Sequence, residues 1–216
     1  MILALKTRAD AEAAAAAVDA HIGRGRTLGY PTETVYGLGS AAHALSLQRL
    51  AALKGRPSGK PLLLLVSSRR MAEGAGLVFT PAANALAEAF WPGPLTLVLR
   101  GGEGKLPDML RGPEGGFAVR FTSHAAVARL ITLLGQPLTS TSANRPGQAP
   151  AAGAEQIVST FREAYEAGDL LVLDGGTLGN VPPSTIVDCT SPQAALVREG
   201  ALPRTELRRA VGRLAP

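Results

Sequence analysis

One cysteine in 216 residues, Cys189, leaves no partner for an internal disulfide and too few thiols for a cysteine-based zinc site, and it suits a reducing cytoplasm. That thiol lies in the apolar run STIVDCT, so it is expected to be buried packing rather than a nucleophile. Aromatics make up only 4% of the chain, with Trp91 the single tryptophan, which implies a core of Ala, Leu and Val. The amino-terminal MILALKTRADAE lacks the long apolar stretch of a signal peptide or membrane span. A soluble cytoplasmic protein with no membrane partner is expected. The three histidines, His21, His43 and His124, have no partners at ligand spacing; each reads as a surface or capping residue, and no protein-held metal is expected. There is no G-x-S-x-G elbow for an acyl-transfer serine, and no repeat or heptad run. No Ser/Gly-rich or charge-dense linker divides the sequence, so a single domain over 1–216 is expected.

What the chain does have is a set of polar loops rich in Gly and Pro. The stretch from Tyr30 to Pro61 opens with YPTETVYGLG, which sets Thr32, Glu33 and Thr34 between Pro31 and the glycines Gly37 and Gly39. Such a backbone is irregular and admits close approach by another molecule. The stretch closes with KGRPSGKP, where Lys54, Arg56 and Lys60 stand among Gly and Pro in a setting suited to an anion, phosphate first. Read alone, these cations fit equally well a solvated helix end that answers the helix dipole. A Walker-type loop is excluded, because only three residues separate Gly55 from Gly59 and Pro61 follows the lysine. The formal charge of +5 favours an anionic partner such as a nucleotide or RNA without demanding one.

Periodicity places these loops at the ends of regular elements. A short strand over Ile2 to Leu5 precedes an alanine-rich helix that Thr7 and Asp10 open as a capping box and that runs to about Gly23. Strands are expected over Arg26 to Tyr30, within PLLLLVS between Pro61 and Ser67, and over Leu95 to Arg100, Phe117 to Phe121, Pro137 to Ser140, Leu170 to Leu173, Ser184 to Cys189 and Ala195 to Arg198. Helices are expected over Leu45 to Lys54, Pro81 to Phe90, Ser123 to Leu134, Ile157 to Glu166 and Thr205 to Leu214, with a mobile glycine-rich loop over 101–116. Alternating strands and helices, then clustered strands, indicate a mixed-sheet α/β domain. Ligands of open α/β sheets sit at strand ends, so the loops at Thr32 to Thr34, Lys54 to Lys60, Thr139 to Asn144, Ser184 and Arg198 can enclose one pocket that works by orientation and electrostatics.

Together these segments resemble the YrdC-domain family of threonylcarbamoyl-AMP synthases. The resemblance rests on PTETVYGLG, KGR at Lys54 to Arg56, FWPGPLT at Phe90 to Thr96, AVR at Ala118 to Arg120, Ser142-Ala143-Asn144, STIVD at Ser184 to Asp188 and the late VREG. It implies a YrdC-like fold, a twisted open mixed (parallel and antiparallel) sheet flanked by helices with a basic concave face. The implied reaction converts L-threonine, bicarbonate and ATP into L-threonylcarbamoyladenylate and pyrophosphate, and separate tRNA-modification proteins then pass the threonylcarbamoyl group to the tRNA adenosine next to the anticodon. By motif position, Lys54, Arg56, Lys60, Thr141, Ser142, Asn144 and Arg198 would hold ATP, with Lys54 and Arg56 catalytic at the phosphates. Thr32, Thr34, Arg120 and Ser184 would hold threonine, Arg120 pairing with its carboxylate. Mg²⁺ is expected with ATP, with no protein carboxylate an evident ligand. The sequence departs from the family at Lys60, where many members have Asn, and at Leu65, where a threonine-contacting His is common. Two rival readings remain: a binder of double-stranded RNA or tRNA, and a paralogous carbamoyl-adenylate enzyme with another acceptor. The chain stops after LRRAVGRLAP, so the single-domain form is expected.

Overall fold

In the computed structural model, residues 1–55, 62–113, 115–179 and 181–215 are described. The elements in chain order are β1 (Ile2–Ala4), α1 (Arg8–Gly23), β2 (Thr27–Tyr30), β3 (Gly37–Gly39), α2 (Ala44–Lys54), β4 (Leu63–Val66), α3 (Arg69–Gly74), β5 (Leu77–Val78), α4 (Pro81–Phe90), β6 (Leu95–Gly101), β7 (Phe117–Phe121), α5 (Ala125–Leu134), β8 (Leu138–Ser142), α6 (Ala154–Thr160), α7 (Arg162–Glu166), β9 (Leu170–Asp174), β10 (Thr185–Asp188), β11 (Ala195–Arg198) and α8 (Arg204–Val211). They build one sheet in the order β1-β9-β2-β3-β8-β4-β7-β6-β10-β11, with β5 paired to β6. Parallel pairs (β1 with β9, β9 with β2, β4 with β7, β6 with β10) stand in one sheet with antiparallel ones, so the sheet is the mixed one expected.

The two faces follow from the two-residue period of the strands. Leu64 and Val66 of β4, Leu95, Leu97 and Leu99 of β6, and Phe117 and Val119 of β7 point to one face, where Leu47 and Leu50 of α2, Leu86 of α4 and Leu207 of α8 cover them. On the other face α1 contributes Ala11, Ala14, Val18 and Ile22, and α5 contributes Ala126, Val127, Leu130 and Ile131, all against Leu28, Tyr30, Leu65 and Leu138. These two helices cover only part of that face. Beyond them Thr96 and Val98 of β6, Ala118 and Arg120 of β7, and Ile186 and Asp188 of β10 line an open hollow.

Capping chemistry sets several boundaries. Thr7 Oγ1 accepts from Asp10 N at 3.1 Å while Asp10 Oδ2 accepts from Thr7 N at 2.8 Å, the reciprocal pair read from the sequence. His124 caps α5 by accepting from Val127 N at 3.4 Å, so that helix starts at Ala125 rather than Ser123. The expected helix over 157–166 starts earlier, at Ala154, and is broken at Phe161. Gly212, with φ of 70°, ends α8 short of Leu214. Strand β3 falls in what reads as loop. Its glycines are there because space is absent: a Cβ on Gly39 would lie 1.9 Å from the Thr139 carbonyl oxygen and 2.8 Å from the Tyr30 ring. The 101–116 loop folds back on itself, with a 3-10 turn at Asp108–Leu110, Leu106 and Leu110 buried, and Arg111 stacked 4.5 Å over Phe117.

Candidate active site

The loop after β2 is shaped by its own hydroxyls. Thr32 Oγ1 accepts from the backbone N–H of Thr34 and of Val35, each at 3.2 Å, and donates to Val35 O at 2.7 Å, which closes a tight side-chain turn. Tyr36 anchors the next residues: its hydroxyl donates to Gly176 O at 2.7 Å and accepts from Gly175 N at 2.9 Å. Thr32 and Thr34 are thereby fixed, both buried, on the wall of a cavity of about 620 Å³.

Arg120 rises from β7 into this cavity. Only 3% of it is exposed, and its Nη1 donates to Thr34 Oγ1 at 3.3 Å. Its Nε stands 3.5 Å from Glu33 Oε1. Burial pulls the guanidinium pKa down from its usual value, and the Glu33 charge opposes that pull. Across the hollow, Ser184 Oγ and Thr96 Oγ1 share a hydrogen bond of 2.9 Å, and Arg198 Nη2 donates to the Ser184 carbonyl oxygen at 2.7 Å. The pKa of Arg198 is lowered first by burial and then by the positive charge of Arg120. Two guanidiniums that repel each other across a cavity form a site for an anion.

A third cation arrives from the end of α2. Lys54 is buried, and its ammonium donates to the Ser142 carbonyl oxygen, to Ser142 Oγ at 3.1 Å and to Asn144 Oδ1 at 2.9 Å. Ser142 Oγ in turn donates to Asn144 Oδ1 at 2.6 Å. Residues 88 and 90 positions apart thus meet as one cluster, and Ser142 and Thr141 put it on the cavity wall.

Thr32, Thr34, Arg120, Thr141, Ser142, Ser184 and Arg198 therefore line one cavity, and Lys54 and Asn144 stand one hydrogen bond behind it. Arg56 and Lys60 lie outside the described residues. Leu65 is fully buried in the core beneath α1 and α5; the β4 residue on the cavity wall is Leu63, in register with Ser140. Thr96 and Asp188 are wall residues that the motif reading does not assign. The alternation LTLV after Pro94 contains the signal for Thr96, a polar residue at an inward position of a buried strand. His21 and His124 do local work: His21 Nε2 lies 2.9 Å from Thr27 O, and His124 is the cap described above. Cys189 is buried, its thiol pKa pushed up to about 12 by burial and then by Asp188. A slightly larger cavity, of about 650 Å³, opens beside Arg70, Met71, Lys105 and Gln136, away from every residue the motifs single out.

An open mixed sheet with a cationic, hydroxyl-lined hollow on its uncovered face, rather than at strand ends alone, defines an α/β protein with a pocket suited to small anionic ligands. The family model described as "Telomere recombination", that of the Sua5, YciO and YrdC proteins, matches residues 20–200, and the chain belongs to this family. It is 34% identical over 194 residues to the threonylcarbamoyl-AMP synthase of Pyrococcus abyssi, covering 89% of this chain and 56% of that protein. The chain thus spans little more than half of that relative. Against the threonylcarbamoyl-AMP synthase of Thiobacillus denitrificans it is 36% identical over 185 residues, with 85% and 95% of the two chains covered. The crystal structure of P. abyssi Sua5 complexed with L-threonine superposes with a TM-score of 0.86 at 32% identity, over 100% of this chain and 63% of that one.

Proposed function

We propose that the chain synthesises L-threonylcarbamoyladenylate from L-threonine, bicarbonate and ATP with release of pyrophosphate. The observation that carries the proposal is the convergence of Arg120 and Arg198 on one hydroxyl-lined cavity, with Lys54 one hydrogen bond behind its wall and Arg120 close enough to lower the pKa of Arg198. The names of the relatives and the threonine held by P. abyssi Sua5 support the same reading.

The reaction joins anions. Threonine's amine and carbon dioxide or bicarbonate give a carbamate, whose oxygen attacks the α-phosphorus of ATP as pyrophosphate leaves. Alignment and charge neutralisation carry such a step without a covalent enzyme intermediate. Arg120 pairs with the threonine carboxylate, while Thr32, Thr34 and Ser184 orient the rest of the amino acid. Lys54, Ser142, Asn144, Thr141 and Arg198 bind the nucleotide, joined by Arg56 and Lys60, with Lys54 and Arg56 at the phosphates. The ammonium of Lys54 already donates to Ser142 and Asn144, so a phosphate oxygen replaces one of those acceptors when ATP binds. Mg²⁺ takes phosphate oxygens, waters and one or two carboxylates. The described wall offers Asp188, which fits an ion delivered on the triphosphate, where it would neutralise charge on the departing pyrophosphate. The adenylate would feed proteins that transfer the threonylcarbamoyl group to tRNA in the cytoplasm. Direct contact with tRNA or double-stranded RNA would fall at a groove of about 480 Å³ lined by Arg24, Arg26 and Arg49 together with Asp169, which pairs with Arg26 at 3.5 Å.

Pyrophosphate release from purified protein with ATP, bicarbonate and each amino acid in turn tests the proposal. Release specific to threonine is expected, falling at least about tenfold in both Lys54→Ala and Ser142→Ala. An unchanged rate in both variants would sink it.

A further inference from the structure

We infer that Glu33 is a positioning residue for Arg120, and through it for the carboxylate of the amino-acid substrate. The inference rests on the role proposed above for Arg120. Two atoms in this corner of the cavity, Glu33 Oε1 and Arg120 Nε, are buried and without a hydrogen-bond partner among the described residues. Such atoms are rare in folded proteins, and each asks for a reason. Here they face each other at 3.5 Å, with 4% of the arginine side chain and 13% of the glutamate side chain exposed. The contact is a buried Coulombic pair rather than a hydrogen bond.

Glu33 is held in this attitude from behind. Its Oε2 accepts from Thr122 Oγ1 at 2.5 Å, and Thr122 is fully buried and also accepts from His124 N at 3.2 Å. Glu33 itself is not on the cavity wall, whereas Arg120 and Thr34 are. A guanidinium presents two forked edges to a carboxylate, one through Nε and one through the two Nη atoms. Glu33 takes the Nε side. Nη1 donates to Thr34, and Nη2 has no hydrogen bond among the described residues. The Nη edge is therefore the one left for a ligand. Buried this deeply, Arg120 also needs a nearby negative charge to keep its own.

A glutamate that merely cancelled charge would behave in the opposite way to one that aims the arginine. Replacing it by the isosteric, neutral glutamine strengthens the positive field in the cavity, so simple neutralisation predicts tighter binding of a carboxylate. Loss of aim predicts weaker binding. The test is calorimetric titration of L-threonine into wild type, Glu33→Gln, Glu33→Asp and Thr122→Val, followed by steady-state pyrophosphate release. Glu33→Gln is expected to raise Kd and KM for threonine at least about tenfold, with kcat changed less than about threefold and KM for ATP unchanged. Glu33→Asp should recover part of that loss. Thr122→Val, which frees Oε2 without touching any charge, should raise KM for threonine by a smaller factor, and it carries the test alone if Glu33→Gln does not fold. An unchanged or lowered threonine Kd in the folded variants overturns the inference while leaving the reading of the cavity intact. Wild type that binds ATP but no threonine overturns both.

Discussion

At the scale of single residues, the site is governed by burial acting on charge. Arg120 and Lys54 are cations inside a protein, and each is tolerated because fixed oxygens surround it: Glu33 and Thr34 for the first, Ser142 and Asn144 for the second. The same burial makes neutral acids resist ionisation. Cys189, raised from 9.0 to about 12, and Tyr36, raised from 10.0 to about 12, both gain protons relative to the unfolded chain. A group whose pKa is raised by folding adds stability that is whole below its unfolded pKa and fades as pH climbs to the folded value. Stability is therefore expected to hold up to about pH 9 and then to decline towards pH 12. Melting temperatures taken from pH 7 upwards should show this fall, and Cys189→Ala, though less stable at neutral pH, should fall less steeply. The thiol should also react slowly with a disulfide reagent at pH 8. Fast modification in the folded state would contradict its burial.

At the scale of elements, what decides legibility is whether a segment's local chemistry agrees with its tertiary setting. The capping box at Thr7 and Asp10 agrees, and α1 reads directly from the sequence. Its loss in Thr7→Ala should cost about 1 kcal/mol, measurable by urea unfolding. The buried run of β4 agrees too, because a continuous apolar strand belongs inside a sheet. Strand β3 does not: Gly37-Leu38-Gly39 has the composition of a turn, and it becomes a strand only because β2 and β8 hydrogen-bond it from both sides. No local rule announces that. Gly39→Ala should be among the most damaging small substitutions in the chain, since the added methyl meets main-chain oxygen at 1.9 Å and cannot turn away. Insolubility or a large drop in melting temperature is the expected outcome, and a native-like melt would show that β3 yields more easily than its contacts imply. The short elements α3 and β5 are likewise absent from a reading of the sequence, being six and two residues long and too brief to display a period. Of the candidate site, what the motifs made legible was the grouping of Thr32, Thr34, Arg120, Thr141, Ser142, Ser184 and Arg198 about one cavity; Thr96, Leu63 and the buried support beneath Arg120 were not legible, because they take their meaning from the register of β4, β6 and β7.

At the scale of the whole molecule, β8 is the seam. It hydrogen-bonds β3 on one side and β4 on the other, and so joins the half of the sheet that carries Thr32 and Thr34 to the half that carries Arg120, Ser184 and Arg198. A ligand that touches both halves should stiffen the junction. Threonine together with ATP, each at about 100 times its Kd, is expected to add roughly 2.7 kcal/mol or more of stability, and amide exchange in β8 should slow more than exchange in the edge strand β1. Equal slowing in both would argue that the ligands sit on one half alone.

The position of β9 has a consequence for how the molecule is made. Residues Leu170–Asp174 lie between β1 and β2, parallel to both, so the two amino-terminal strands have no direct contact as neighbours in the sheet. While the ribosome is still translating the middle of the chain, those strands have emerged with open edges and nothing to close them. Assembly must wait until the segment carrying β9 has been synthesised, and the nascent chain spends that interval exposed to mispairing with other strands. Slowing elongation between the segments that encode β2 and β9 should therefore increase chaperone engagement and lower the soluble yield.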